Sequence, residues 1–219
     1  MNERFPNANE HNESQDENES APPKAEPNRE RDPRLNPRIY VTRGLPLRAE
    51  LTDGAWFDMA RDPLTIRAEL YSIFADEETY DHEGLYIWDH QDFGGFGVTT
   101  GAIGLEGVHS IELLAQVARG VAEHGPAFAL WASVHEDDPR LFDHFASAYQ
   151  GHHQSMAAYV RQLFKPLGIE ELLAQAAPEG LQNYVCLDYG GIGEEMLREG
   201  DVVAFPADGG GVWIFDERA

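Results

Sequence analysis

Apolar and polar residues alternate over residues 38–42, RIYVT, and that period of two predicts a strand. GAWFDM, 54–59, predicts a second strand. The period then changes. Asp62-Pro63 pairs a capping side chain with proline at a first helical position, where its missing N–H costs nothing. Leu64, Leu70, Ile73 and Phe74 follow at near-helical spacing, so they are the expected buried face. LYIWD, 85–89, predicts a third strand, ended by a glycine-rich run. Together these elements suggest a small α+β domain over 37–107.

The middle of the chain, 108–153, reads as a helical domain. Ser110 is placed to cap IELLAQVARGVAEH, which stops at Gly125-Pro126, and AFALWASVH follows. Asp138-Pro139 repeats the cap-then-proline signal before LFDHFASAY. A third domain, 154–219, begins with Ser155 capping MAAYVRQLF and continues through IEELLAQAA. Short helices are expected around Asp188 and Tyr189. VVAF and VWIF flank PADGGG, a hairpin signal. Residues 1–36 are built from Asn, Glu, Pro, Ser and Arg, bury too little to offset ordering entropy, and are read as a disordered tail.

Charge changes the picture more than composition does. At 42 % hydrophobic and 11 % aromatic the chain can build real cores, but 39 acids against 16 Lys+Arg give −23. Non-specific nucleic-acid binding needs Lys and Arg to displace condensed cations, so a nucleic-acid partner is not expected. An anionic membrane surface would repel such a chain as well. The single cysteine, Cys186, excludes an internal disulfide, and its apolar flanks in YVCLDY suggest a small buried hydrophobe. No apolar run opens the chain as a secretory signal would, and none approaches the ~20 residues of a membrane span. A cytoplasmic protein is the expectation.

Residues for three kinds of site chemistry occur along the chain. Gly94, Gly95, Gly97, Gly101 and Gly104 could suggest a phosphate cradle, but no Lys accompanies them and Asp89 and Asp92 would repel phosphate. A flexible surface loop is the simpler reading. Asp81, His82, Glu83, Asp89, His90, His135, Glu136, Asp137, Asp138, His152 and His153 are all metal-ligand types. No H-E-x-x-H or D-x-D-x-D-G pattern organises them, so no metal is assigned. No G-x-S-x-G elbow occurs. No catalytic residue or cofactor is expected.

The charge itself remains. The first 36 residues hold nine acids and five bases, leaving 30 acids and 11 bases, net −19, for residues 37–219. A dimer of that part would carry twice 19, or 38, negative charges. Duplex DNA carries as many over roughly 65 Å of axis. Two compact units of this size span roughly 80 Å end to end. The charge per length is thus within about a factor of two of DNA.

The order of the residues adds to this. From Pro37 to Ala219 the chain resembles the ArdA family of antirestriction proteins. PRIYVTRGLP is similar to that family's opening strand, and GAWFDM with its helix to the next element. IWDHQDFGGFG resembles the D-x-E-G-F loop, and SIELLAQVARGVAEHGPAFALWA the leucine-rich helical motif. FASAYQGHHQSMAAYVRQLF matches A-Y-x-G-x-x-x-S-x-x-x-Y, and GDVVAFPADGGGVWIF resembles the closing hairpin.

The resemblance implies an elongated α+β protein of three small domains. It would form a homodimer that mimics bent duplex DNA and occupies the DNA groove of a type I restriction-modification enzyme, on its methyltransferase core. Such proteins protect incoming mobile-element DNA. The phosphate-mimicking candidates fall in clusters: Asp76, Glu77, Glu78, Asp81 and Glu83; Asp89 and Asp92; Glu106, Glu112 and Glu123; Glu136, Asp137, Asp138 and Asp143; Glu170 and Glu171; Glu194, Glu195 and Glu199. One departure stands out. No acid occurs from His144 to Gly168, where Arg161, Lys165 and histidines 144, 152 and 153 lie, so that stretch is either an interface or a place where mimicry weakens. Two rival readings are an acidic decoy for a nucleoid protein or recombinase, and a metal-dependent enzyme built on the Asp/His clusters.

Overall fold

Residues 35–44, 54–74, 84–182 and 184–218 are described by the computed structural model. The tail up to residue 34 and the acids Asp76, Glu77, Glu78, Asp81 and Glu83 lie outside the described residues.

Strands β1 (Arg38–Arg43), β2 (Gly54–Asp58), β3 (Leu85–Gln91) and β4 (Gly101–Ala102) form an antiparallel sheet in the order β2-β1-β3-β4. Ile39, Val41, Phe57, Leu85 and Ile87 point to its buried side. Helix α1 (Pro63–Phe74) begins as expected, with Asp62 accepting from the Thr65 N–H at 2.9 Å. Its buried face differs from the expectation. Ile66 and Leu70 are buried and Phe74 packs on the core, whereas Leu64 is 75 % and Ile73 51 % exposed. Positions 66, 70 and 74 recur every four residues, and Leu64 lies roughly 200° around the helix from Ile66.

The glycine-rich run is not a free surface loop. Phe93, Phe96 and Val98 are buried in the main core. Asp92 (φ 61°), Gly94 (φ 62°) and Gly95 (φ 96°) take left-handed conformations that turn the backbone sharply, and the Phe96 N–H bonds the Phe93 carbonyl at 3.1 Å. A Cβ on Gly94 would sit 3.2 Å from both Ala129 and Leu35, so the glycine also permits close packing. The chain needs its glycines here to bring two aromatic rings inward within four residues.

Helix α2 (Ile111–His124) is capped by Ser110, whose Oγ accepts from the Leu113 N–H, and it buries Ile111, Leu114, Ala115, Val117, Ala118, Gly120 and Val121. Helix α3 (Pro126–Val134) crosses it where the Phe128 ring fills the space a side chain at position 120 would need. After Asp138-Pro139 the chain forms a 3-10 turn, Pro139–His144, and the short α4 (Phe145–Ala148), not one longer helix.

Strand β5 (Tyr149–His153) was not expected from sequence. YQGHH has no β-branched residue and no apolar alternation. It is a strand because β7 pairs with it, a tertiary context overriding local preference. Helices α5 (Met156–Phe164, capped by Ser155), α6 (Ile169–Ala176) and α7 (Tyr189–Glu199, capped by Asp188) follow. The expected hairpin, β6 (Val202–Pro206) and β7 (Val212–Asp216), joins β5 in the order β5-β7-β6.

Both faces of this second sheet are covered. Val203, Phe205, Trp213 and Phe215 meet the main core, while Val202, Ala204, Val212 and Ile214 meet a second cluster around Tyr159, Val160 and Tyr189. Cys186, expected to be buried, is exposed. It sits between α6 and α7, where Tyr184 is 81 % exposed and Leu187 is the side chain that reaches the second cluster. Apolar neighbours in sequence do not bury a cysteine when its segment has no helix or strand to carry it inward. With two antiparallel sheets and seven helices among the described residues, the fold is α+β.

Candidate partner-binding surface

The described candidate acids sit on defined elements, and all but the half-buried Asp138 are exposed. Asp89 lies near the end of β3, and Asp92 follows in the left-handed turn. Glu106 occupies the turns before α2, Glu112 the first turn of α2 and Glu123 its last. Glu136, Asp137 and Asp138 lead from α3 into the 3-10 turn that contains Asp143. Glu170 and Glu171 open α6, where a carboxylate also favours the positive end of the helix dipole. Glu194, Glu195 and Glu199 project from α7.

The acids divide into two sets. Several meet a cation of their own chain: Glu112 pairs with Arg67 at 2.6 Å, and Glu195 and Glu199 with Arg198. Asp138 accepts from both the Nε and an NH2 group of Arg140, and these hydrogen bonds hold its carboxyl below the usual carboxylate range. Glu170 accepts the Tyr189 hydroxyl at 2.7 Å and lies 4.0 Å from Arg161. That hydrogen bond is the main reason the Tyr189 hydroxyl titrates above its usual range. Glu123 lies 3.8 Å from His124. Asp89, Asp92, Glu106, Asp137, Asp143, Glu171 and Glu194, by contrast, make no ion pair among the described residues. Their charge faces water undiminished and is fully available to a basic partner.

Sequence reasoning missed one residue that organises this surface. His109 is buried; its Nδ1 accepts from the Thr99 N–H at 3.0 Å and its Nε2 lies 2.6 Å from Glu136 Oε1. An accepting Nδ1 leaves the proton on Nε2, which therefore donates to Glu136. The ring also packs on Phe96, 5.3 Å between centroids. One side chain thus ties the glycine run to the acids after α3. A lone histidine between Val108 and Ser110 carries no sequence signal for this.

The ligand-type residues do not converge. Asp81, His82 and Glu83 lie outside the described residues, and among the described ones no group of three or more His, Cys, Asp or Glu gathers. His152 and His153 instead bond backbone carbonyls, those of Gly210 at 2.8 Å and Gln150 at 3.2 Å. The acid-free stretch, 144–168, contributes β5 and α5 and leaves Leu163 and Leu167 exposed beside Arg161 and Lys165. Among the described residues, no helix is long and apolar enough to cross a membrane.

A protein-family model described as "Antirestriction protein (ArdA)" matches residues 48–209. No curated protein matches the chain.

Proposed function

Since the chain belongs to the ArdA family of antirestriction proteins, we propose that it defeats restriction by taking the place of DNA in the groove of a type I restriction-modification enzyme. The observation that carries this reading is the second set of acids above: seven exposed carboxylates on strand ends, turns and helices, with no ion-pair partner among the described residues. Fixed anions at the surface offer a DNA-binding groove what phosphates offer it, and at no cost in ordering a flexible chain. No catalytic residue, metal or cofactor enters the reading. Binding alone blocks the enzyme, in the cytoplasm where incoming mobile-element DNA is met.

The paired acids hold the surface in shape and contribute less field, because an exposed ion pair is largely neutral to a third body. The active form is proposed to be a homodimer. Two copies of so acidic a chain repel each other except where acids are absent, which favours the 144–168 stretch with exposed Leu163 and Leu167 as the mutual contact.

The test is competition. A type I methyltransferase core is held on labelled cognate duplex while the protein is titrated in at two salt concentrations. Release of the duplex at near-stoichiometric protein, weakening as salt rises, is the expected result. No release at low salt removes this function.

A further inference from the structure

The outer face of the first sheet is rich in aromatic rings. Tyr40 and Trp56 sit opposite each other on β1 and β2, their centroids 5.3 Å apart. Arg38 lays its guanidinium over Trp56, 5.4 Å from the ring centre, and donates to Gln91 at 2.9 Å. One tryptophan of this face is therefore already occupied by an arginine of its own chain.

Trp88 is the counterpart without such an occupant. The pairing of β1 with β3 slips between Tyr40, which faces Asp89, and Val41, which faces Ile87, so Trp88 is the extra residue of a β-bulge. The bulge breaks the alternation, and consecutive Trp88 and Asp89 are both exposed, Trp88 at 44 %. Among the described residues no guanidinium stacks on Trp88. Asp89 uses Oδ1 to accept from the His90 N–H at 2.7 Å, and its second oxygen has no partner among the described residues. An indole face beside an unpaired carboxylate is a receptor for a planar cation: the ring quadrupole takes the guanidinium face and the carboxylate takes its N–H edge.

We infer that Trp88 and Asp89 together receive an arginine from the DNA-binding groove of the restriction enzyme. The inference rests on the proposed function, since a groove that contacts phosphates is lined with Arg and Lys. Charge complementarity selects the occupant: Asp89, next to Trp88, and Asp92, three residues further along, are exposed and without an ion pair among the described residues, while Arg38 is already engaged by Trp56 and Gln91. The site adds a specific, short-range contact to a mimicry otherwise made of spread charge.

The experiment uses the same competition assay with Trp88→Ala, Trp88→Tyr, Asp89→Asn and the double variant Trp88→Ala/Asp89→Asn. Each is first checked for an unchanged melting temperature, which an exposed position permits. Trp88→Ala is expected to raise the concentration for half-release by about 3- to 30-fold, and Trp88→Tyr by much less. The double variant should lose less than the product of the single losses, because both groups hold one arginine. Half-release by Trp88→Ala at the wild-type concentration overturns the inference and leaves the proposed function standing. So does a Trp88→Ala protein whose sedimentation changes while its potency per dimer does not, since the occupant is then a second copy. Wild-type protein that releases no duplex at either salt removes both.

Discussion

Helices α2 and α6 start almost identically. The first opens Ile111, Glu112, Leu113, Leu114, Ala115, Gln116, and the second Ile169, Glu170, Glu171, Leu172, Leu173, Ala174, Gln175. Each places apolar residues at the first, fourth and fifth positions, the spacing of one helical face. Yet α2 buries seven residues and α6 buries none, with Leu172 61 % exposed. The difference lies in what surrounds them. Ser110 caps α2 and α3 covers it, while α6 starts at Gly168 with no side-chain cap and borders a cleft of about 150 Å³ shared with Arg161, Cys186 and Tyr189. A periodic pattern specifies a helix; burial also requires a neighbour to receive the face.

The largest contrast should come from truncating equivalent leucines. Leu114→Ala is expected to cost about 2–5 kcal/mol in urea unfolding, from lost burial plus a cavity. Leu172→Ala should stay within about 0.5 kcal/mol. Equal costs would mean that α6 is covered in solution, and the covering would then be sought in a second copy.

Glycines come next. A Cβ on Gly120 would collide with the Phe128 ring, so Gly120→Ala should lose about 1–3 kcal/mol through overpacking. A methyl group on Gly180, in the segment after α6, would meet none of the described residues beyond its chain neighbours, and Gly180→Ala should leave the melting temperature where it is. Removing the cap of α2 with Ser110→Ala should cost about 1 kcal/mol.

The smallest effect is a pH dependence that comes from His135, at the C-terminal end of α3. Burial is the main cause that lowers the His135 pKa below its ordinary 6.5, against an opposing pull from Asp138. The folded state therefore prefers the neutral ring. As pH falls below 6.5 the unfolded chain binds the proton more readily, so this contribution is full above that pH and is lost beneath it. Melting temperatures of wild type and His135→Gln, compared at about pH 7.5 and pH 5.5, should diverge only at the lower value.

Much of the fold was legible wherever a cap and a period coincide. Asp62, Ser110 and Ser155 each cap the helix that follows, and the hairpin around PADGGG is where its turn residues put it. Three features were not legible, for separate physical reasons. YQGHH becomes a strand only because β7 recruits it. Ile66 displaces Leu64 on the buried face of α1 because sheet position, and not hydrophobicity, decides which stripe faces inward. Cys186 stays exposed because nothing regular carries it in. At the surface, the acids could be named from sequence but their pairing could not. Whether Glu112 meets Arg67 depends on two helices meeting in space, and the role of His109 depends on a backbone N–H ten residues away.

Strand β7 alternates between two cores, with Trp213 and Phe215 in one and Val212 and Ile214 in the other. Detaching it would expose both at once. Amide protons in α2 and in α5 should therefore become accessible to solvent deuterium through a common opening, and their slowest exchange rates should converge on one free energy. A strand with two buried faces makes the clusters a single cooperative unit, so a substitution such as Ile214→Ala should speed exchange in helices that its side chain never touches.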